Sequence, residues 1–141
     1  MDIAINYYAV VGAAVAAIII GTLWYGPLFQ KPWMRMAGLT MEGMKAMKMS
    51  PLQAMIGGAI VSLIMAYVLS HILVFASAYM QTSGVSAGLS SGFWSWLGFI
   101  VPVTAGVFLW EGKSWKLWAL NAGYYLVSLL AMGAILGAFP A

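Results

Sequence analysis

Cysteine is missing from this 141-residue sequence, which excludes disulfides, thiolate metal sites and cysteine nucleophiles. Charge is scarce as well, since Asp, Glu, Lys and Arg make up 6% of the residues, whereas a soluble domain carries roughly 25%. There is one His, and the sequence holds no paired carboxylates, no Ser/His/Asp set at membrane depth and no phosphate-binding glycine loop. We therefore expect a non-catalytic protein with no metal and no cofactor.

The net charge of +3 does not indicate nucleic-acid binding, because no groove-entering motif accompanies the basic residues. All six basic residues lie in or beside two short connectors, at positions Lys31, Arg35, Lys45, Lys48, Lys113 and Lys116. Basic residues beside hydrophobic spans contact lipid headgroups and are retained on the cytoplasmic side. This distribution predicts that loops 30–50 and 111–114 are cytoplasmic and that both termini lie outside the cell (inner or plasma) membrane.

Hydrophobic residues, 64% of the total, are grouped in four long blocks. The blocks cover residues 7–29, 51–78, 91–110 and 115–139. About 20 apolar residues suffice to cross the hydrocarbon of a bilayer as a helix. The sequence therefore predicts an all-α membrane protein, with residues 1–141 forming a single domain of four transmembrane helices. The short connector 111–114 requires a tight turn, and we expect two antiparallel hairpins.

The connector between the first two blocks contains a short segment with repeated methionines. Thr40 is positioned to cap a helix carrying Met41, Met44 and Met47, and this helix is expected to lie in the membrane interface. The methionine spacing resembles thioether copper sites, but no Cys or His accompanies it, and Met is a common filler of apolar faces. After it, Ser50-Pro51-Leu52-Gln53 is typical of a helix start.

A polar stripe runs along the fourth block, where Asn121, Tyr124, Tyr125 and Ser128 recur at helical spacing. Thr22 and Thr104 lie at a similar depth on the first and third blocks. In hydrocarbon such groups must find partners, so they are expected to face the interior of the bundle. Two interpretations stay open: hydrogen bonds that hold the helices together, or a polar vestibule that opens to the cytoplasm.

His71 lies near the outer end of the second block, about 30 Å along the helix from its inner end. An ionisable residue within a span is a functional candidate by default. Close to the interface, however, it can reach water or headgroups. His71 is therefore either a structural residue or a proton or ligand site at the outer end of a pathway.

Small residues recur at spacings of four on all four blocks, which allows helix backbones to approach each other closely. These faces include Ala13, Ala17 and Gly21, then Gly58 and Ser62, and finally Gly133 and Gly137. They can be used within one bundle or between chains. We expect at least part of one face to serve homo-oligomerisation or docking in a larger membrane complex.

The runs around Trp24, Tyr25, Pro27 and Trp33, and around Trp96 and Gly98, resemble a membrane-protein family catalogued as domain of unknown function 1761. The resemblance extends over nearly the whole chain and implies four spans in a bacterial-type cell membrane. It implies no activity, substrate or catalytic residue.

Two functions are compatible with these features. The first, which the sequence favours, is a non-catalytic scaffold that self-associates or serves as an accessory subunit, because intramembrane charge is almost lacking. The alternative is a small homo-oligomeric permease or channel for a proton, ion or small solute, using the polar stripe. A dry, tightly packed interior would support the scaffold, whereas a cavity that reaches the stripe would support transport.

Overall fold

The computed structural model describes residues 2–141, and these residues form helices without any strand. We number the helices in chain order: α1 (Tyr7–Leu28), α2 (Gln30–Ala37), α3 (Met41–Lys45), α4 (Pro51–Met80), α5 (Gly84–Leu109) and α6 (Trp115–Ala138). The helices α1, α4, α5 and α6 are long and apolar enough to cross a membrane, with mean hydropathy between 1.6 and 2.3. The chain is thus an all-helical protein of the multi-pass membrane type.

Side-chain caps define where three of the long helices begin. The Asn6 side chain accepts hydrogen bonds from the first turn of α1, and the Ser114 side chain does the same for α6. At the start of α4, Ser50 and Gln53 form a reciprocal capping box with Pro51 in the first turn, as the sequence predicted. These caps satisfy backbone N–H groups that have no partner inside the helix.

The third long helix begins at Gly84, seven residues before the predicted position 91. The small, uncharged residues of segment 79–90 are typical of a loop, and for residues 84–90 this prediction was wrong. Gly84 has a positive φ of 74°, and the helix continues from it without a break to Ser95. The segment is rich in small residues because it packs against the backbone of α6, and not because it turns. The other three long helices end within two residues of their predicted bounds.

The predicted amphipathic segment between the first two long helices consists of two short helices. Thr40 caps α3 by accepting a hydrogen bond from Gly43 N–H, as expected. However, α3 ends at Lys45, so Met47 lies beyond it and the three methionines do not share one helical face. The helix α2, which ends at Gly38 with a left-handed φ of 71°, was not predicted.

The two ends of the bundle are marked by contacts between distant segments. Asn6 Nδ2 donates to the carbonyl of Phe139 at 3.0 Å, so both terminal segments meet at one end, which we call the terminal end. Lys113 Nζ donates to the carbonyl of Ala37 at 3.4 Å, which brings the two basic connectors together at the opposite end, the connector end.

In the terminal half of the bundle, α5 and α6 pack closely because both present glycine. A Cβ added at Gly88 would overlap the carbonyl of Gly133, and one at Gly137 would overlap the carbonyl of Gly84. No residue other than glycine fits such an approach of two backbones. Ala13 on α1 and Met132 on α6 are completely buried beside this contact.

The connector half is much more open. There α4 does not pack closely on residues 101–109 of α5, and its buried residues all lie at position 62 or beyond. An added Cβ at Gly57 or Gly58 would meet no atom within 4 Å, so these glycines take no part in a close contact within the chain. Of the small-residue faces predicted to pack closely, Ala13, Ala17, Gly133 and Gly137 do so, whereas Gly58 does not.

Candidate ligand cavity

A cavity of about 1030 Å³ lies in the connector half, between α1, α4, α5 and α6. Five of the predicted site residues line it: Thr22, Thr104, Asn121, Tyr124 and Tyr125. Gly21 on α1 and Gly58 and Ser62 on α4, which were predicted as packing faces, line it too. The cavity therefore reaches the polar stripe of α6 along most of its length.

Tyr25 and Asn121 form the central polar contact of the cavity. The Tyr25 hydroxyl donates to Asn121 Oδ1 at 2.7 Å. The Tyr25 ring packs edge-on against Trp33 of α2 and against Tyr124 of α6, with centroids 5.0 and 5.3 Å apart. One side chain of α1 thus joins the stripe on α6 to the short helix at the connector end.

Two tryptophans hold α6 on either side of Asn121. Trp24 Nε1 donates to the carbonyl of Leu120 at 3.1 Å, and Trp96 Nε1 donates to the carbonyl of Ala122 at 2.8 Å. Each tryptophan begins a π-helical turn, Trp24–Leu28 in α1 and Trp96–Ile100 in α5. Such turns insert one residue into the helical repeat and redirect the side chains that follow. Here the two turns lie on helices that flank the same three residues of α6.

The π-helical turns also contain three more residues of the predicted family motif, Tyr25, Pro27 and Gly98. Pro27 lies in the first turn, where Gly26 has non-helical angles (φ −105°, ψ −108°). Gly98 lies in the second turn, and a Cβ added there would meet nothing within 4 Å. The motif residues are therefore grouped in the turns that support the cavity, and Trp33 lines the cavity itself.

Several polar groups around the cavity are already engaged in hydrogen bonds. Thr104 donates to the carbonyl of Ile100 and accepts from Trp118 Nε1 at 3.0 Å. Thr22 donates to the carbonyl of Ile18, one turn earlier in the same helix, at 2.9 Å. The Tyr124 hydroxyl donates to the carbonyl of Ala17 at 3.2 Å and so crosses to α1. The contacts of Trp118 with Thr104 and of Tyr124 with Ala17 join different helices, whereas that of Thr22 stays within α1.

Two other predicted residues do not join this site. Ser128, the last residue of the stripe, is fully buried beyond the cavity, and its hydroxyl has no hydrogen-bond partner among residues 2–141. His71 lies on α4 away from the cavity, where Nδ1 is 2.9 Å from the carbonyl of Tyr67. Its ring contacts those of Tyr67 and Phe75, as expected for a structural residue.

The lining carries no Asp, Glu, Lys, Arg or His. Over residues 2–141, no cluster of three or more His, Cys, Asp or Glu side chains is able to hold a metal ion. The cavity is thus a neutral chamber with aromatic walls and a few hydrogen-bonding groups. Its arrangement suits recognition of a small molecule by shape and hydrogen bonding.

Sequence reasoning identified the part of the site on α6 but missed most of its walls. Tyr25, Trp33 and Trp118 were recognised as motif or interface residues and not as parts of a site. Helical spacing relates residues of one helix, whereas Tyr25 and Asn121 meet across 96 positions. The signal that pointed to them was the family motif around Trp24.

Comparison with known proteins yields one match. No curated protein and no solved structure matches the chain at a significant level. The sequence model of the family described as "Protein of unknown function (DUF1761)" matches residues 8–137, nearly the whole chain. The chain therefore belongs to the DUF1761 family.

Proposed function

We propose that this protein is a small, non-catalytic membrane permease whose cavity binds a small solute during its passage across the cell membrane. The observation that carries the proposal is the cavity of about 1030 Å³ that reaches Asn121 and Tyr125. Ligand sites are clefts or cavities of about 300–1,000 Å³, and this open cleft, with polar side chains of α6 in its wall, is of that size. The cavity therefore favours the alternative over the scaffold that the sequence favoured.

The close glycine contact in the terminal half fits the same proposal. The cavity is confined to the connector half, and the backbones of α5 and α6 meet at Gly88 and Gly133 beyond it. A permease exposes its site to one side at a time. In this proposal the terminal half, where α5 and α6 pack closely, closes the cavity toward the terminal end. Passage of a solute requires α5 and α6 to separate in that half.

We further propose that the connector end faces the cytoplasm and that both termini lie outside, because the basic connectors are retained on the cytoplasmic side. We also propose two antiparallel hairpins, of which the second, α5 with α6, is supported by the glycine contacts. Residues 84, 88 and 92 of α5 approach residues 137, 133 and 129 of α6, so numbers rise in one helix as they fall in the other.

A scaffold remains the second candidate, and a specific feature favours it. The connector half of α4 presents exposed apolar side chains, among them Leu52, Met55 and Ile56. We propose that this surface meets lipid and either a second copy of the chain or another subunit of a membrane complex. Native mass spectrometry of the protein released from nanodiscs measures the number of chains per complex directly. A strictly monomeric protein would contradict the oligomer.

The function is tested with purified full-length protein. Neutral, cationic and anionic small solutes are screened for a shift of the thermal unfolding temperature in nanodiscs, and those that shift it are then tested for uptake into proteoliposomes. We expect saturable uptake that is lost in Asn121→Leu and retained in Ser86→Ala, a polar residue outside the cavity. If no solute shifts the unfolding temperature and none is taken up, the scaffold replaces the permease.

A further inference from the structure

Four hydrogen-bonding groups that line the cavity have no partner within residues 2–141: the Ser62 hydroxyl, the Trp33 indole N–H and, on neighbouring turns of α6, the Asn121 amide nitrogen and the Tyr125 hydroxyl. Because the Tyr25 hydroxyl donates to Asn121 Oδ1, the amide nitrogen of Asn121 keeps both of its hydrogens. Neither this nitrogen nor the hydroxyl of Tyr125 is hydrogen-bonded within residues 2–141. Both side chains line the cavity, one turn apart on α6. Together they present hydrogen-bond donors to whatever fills the space.

The remaining polar groups do not compete for a ligand in the same way. The Thr104 hydroxyl already donates one hydrogen bond and accepts another, and the hydroxyl hydrogens of Thr22 and Tyr124 are donated to backbone carbonyls. Free hydrogens therefore remain at Ser62, Trp33, Asn121 and Tyr125, and those of Asn121 and Tyr125 lie one turn apart on the same helix. Donors of this kind select a ligand with an oxygen acceptor, such as a carbonyl or an ether.

The walls of the cavity exclude charged ligands and favour flat ones. No charged side chain lines the cavity, so an ion entering it would lose its hydration without a compensating partner. The rings of Tyr25, Trp33 and Trp118 form much of the wall. Aromatic rings stack on flat apolar groups with favourable offset or edge-on contacts.

The cavity also opens sideways at the depth of the bilayer. Met55 and Gly58 on α4 and Thr104 and Val107 on α5 line it, yet α4 and residues 101–109 of α5 do not pack closely on each other. Met55, one turn inside α4, is 71% exposed. The gap lies within about two turns of the connector ends of both helices, so it faces the bilayer at the headgroup boundary and the adjoining acyl chains. A molecule dissolved in the bilayer therefore reaches the cavity without crossing the connectors.

We propose that the cavity takes an uncharged, flat, amphipathic molecule with an oxygen acceptor, and that this molecule enters laterally from the bilayer between α4 and α5. The proposal rests on the proposed function and specifies the ligand class and route. The oxygen acceptor receives hydrogen bonds from Asn121 and Tyr125, and the flat apolar part lies against Tyr25, Trp33 and Trp118.

Three probes of similar size test the ligand class. The full-length protein in nanodiscs is equilibrated with 2-acetylnaphthalene, 2-ethylnaphthalene or 2-naphthoate, and the amount bound above empty nanodiscs is measured by mass spectrometry. The ketone has the acceptor, the hydrocarbon lacks it and the carboxylate is charged. We expect saturable binding of the ketone, binding of the hydrocarbon weaker by about 2- to 13-fold per lost hydrogen bond, and no saturable binding of the carboxylate.

Substitutions assign the binding to the two donors. Asn121→Leu alone would release the Tyr25 hydroxyl as a new donor, so the double variant Tyr25→Phe/Asn121→Leu is used with Tyr125→Phe. Each is expected to weaken ketone binding by about 2- to 13-fold while leaving hydrocarbon binding unchanged. Tyr79→Phe is the matched control, because Tyr79 is 91% exposed near the terminal end. Ketone binding that is equal in the three variants and the parent protein would overturn the role of the donors.

The lateral route is tested with single cysteines, which are unique labels because the chain has none. Met55→Cys lies at the gap, whereas Ile60→Cys lies on a different groove of α4, beside Gln53 and Gly57. Both are labelled with a pyrene maleimide. We expect the label at position 55 to slow ketone binding at least tenfold and the label at position 60 to leave it unchanged. Equal rates in the two labelled proteins would overturn the lateral route.

The outcomes separate this inference from the proposed function. If the carboxylate binds and Tyr25→Phe/Asn121→Leu abolishes its binding, the cavity is a binding site but the ligand class is wrong. If none of the three probes binds saturably while another solute of the functional screen does so, the ligand class is again wrong and the permease stands. If no solute binds at all, both proposals fail.

Discussion

The close contact between α5 and α6 predicts a large stability loss on adding one methyl group at Gly88. A Cβ there would lie 2.6 Å from the carbonyl carbon of Gly133 and still closer to its oxygen, whereas carbon atoms pack best at about 3.5–4.0 Å. Both of these atoms belong to the backbone, so no side chain is able to rotate away. The helices must separate by roughly 1 Å to restore normal contact distances.

The magnitude follows from comparison with a glycine that has free space. Gly57 lies within α4, and a Cβ added there would meet nothing within 4 Å. Both Gly88→Ala and Gly57→Ala gain about 1 kcal/mol from the higher helix propensity of alanine. The difference between the two variants therefore isolates the strain of overpacking, which typically costs about 1–3 kcal/mol. We expect the free energy of unfolding of Gly88→Ala to be lower than that of Gly57→Ala by at least about 1–3 kcal/mol.

The assay is equilibrium unfolding in mixed micelles with increasing SDS, followed by far-ultraviolet circular dichroism. The double variant Gly88→Ala/Gly133→Ala provides a second check, because a Cβ at Gly133 would overlap the carbonyl of Gly88. Once the first substitution has separated the helices, the second should cost less than it does alone. Equal unfolding free energies for Gly88→Ala and Gly57→Ala would refute the reasoning.

Two further variants test contacts that hold the ends and the middle of the bundle, again by SDS unfolding. Trp96→Phe loses the hydrogen bond to the Ala122 carbonyl and should lower the free energy of unfolding by about 0.5–1.5 kcal/mol or more. Trp94→Phe is the control, because Trp94 is 64% exposed, and it should change the unfolding free energy little. Equal losses in the two variants would contradict a stabilising role of the Trp96 hydrogen bond. Asn6→Ala removes both the cap of α1 and the hydrogen bond to Phe139 and should cost about 1–2 kcal/mol. Asn6→Asp keeps the cap but has no donor for Phe139, so a loss as large as that of alanine would show that the cap contributes nothing.

The cavity depends on features that oppose tight packing in one half of the bundle. Gly58 on α4 has no neighbour within 4 Å of an added Cβ, and the polar groups of α6 are only partly paired. In the other half, glycines on two helices meet. The same kind of residue thus produces close contact where both helices present it and open space where only one does.

Much of the fold was predictable because the hydrophobic effect acts on each segment separately. Four apolar runs determine four long helices, since the transfer of a segment into lipid depends on its own composition and length. The capping box at Ser50 and the cap at Thr40 were predictable for the same reason, because each involves residues three positions apart. The start of α5 at Gly84 was not, since small residues are typical both of loops and of close helix contacts.

The site required the tertiary structure. Helical periodicity placed Asn121, Tyr124 and Tyr125 on one face of α6, but it gave no partner for them. The contacts of Tyr25 with Asn121 and of Trp24 and Trp96 with the α6 backbone join positions between 26 and 96 residues apart. Such contacts depend on how whole helices cross and where π-helical turns shift their faces. Composition alone determined that there are four long apolar helices, whereas only the packing of those helices decided where a space remains between them.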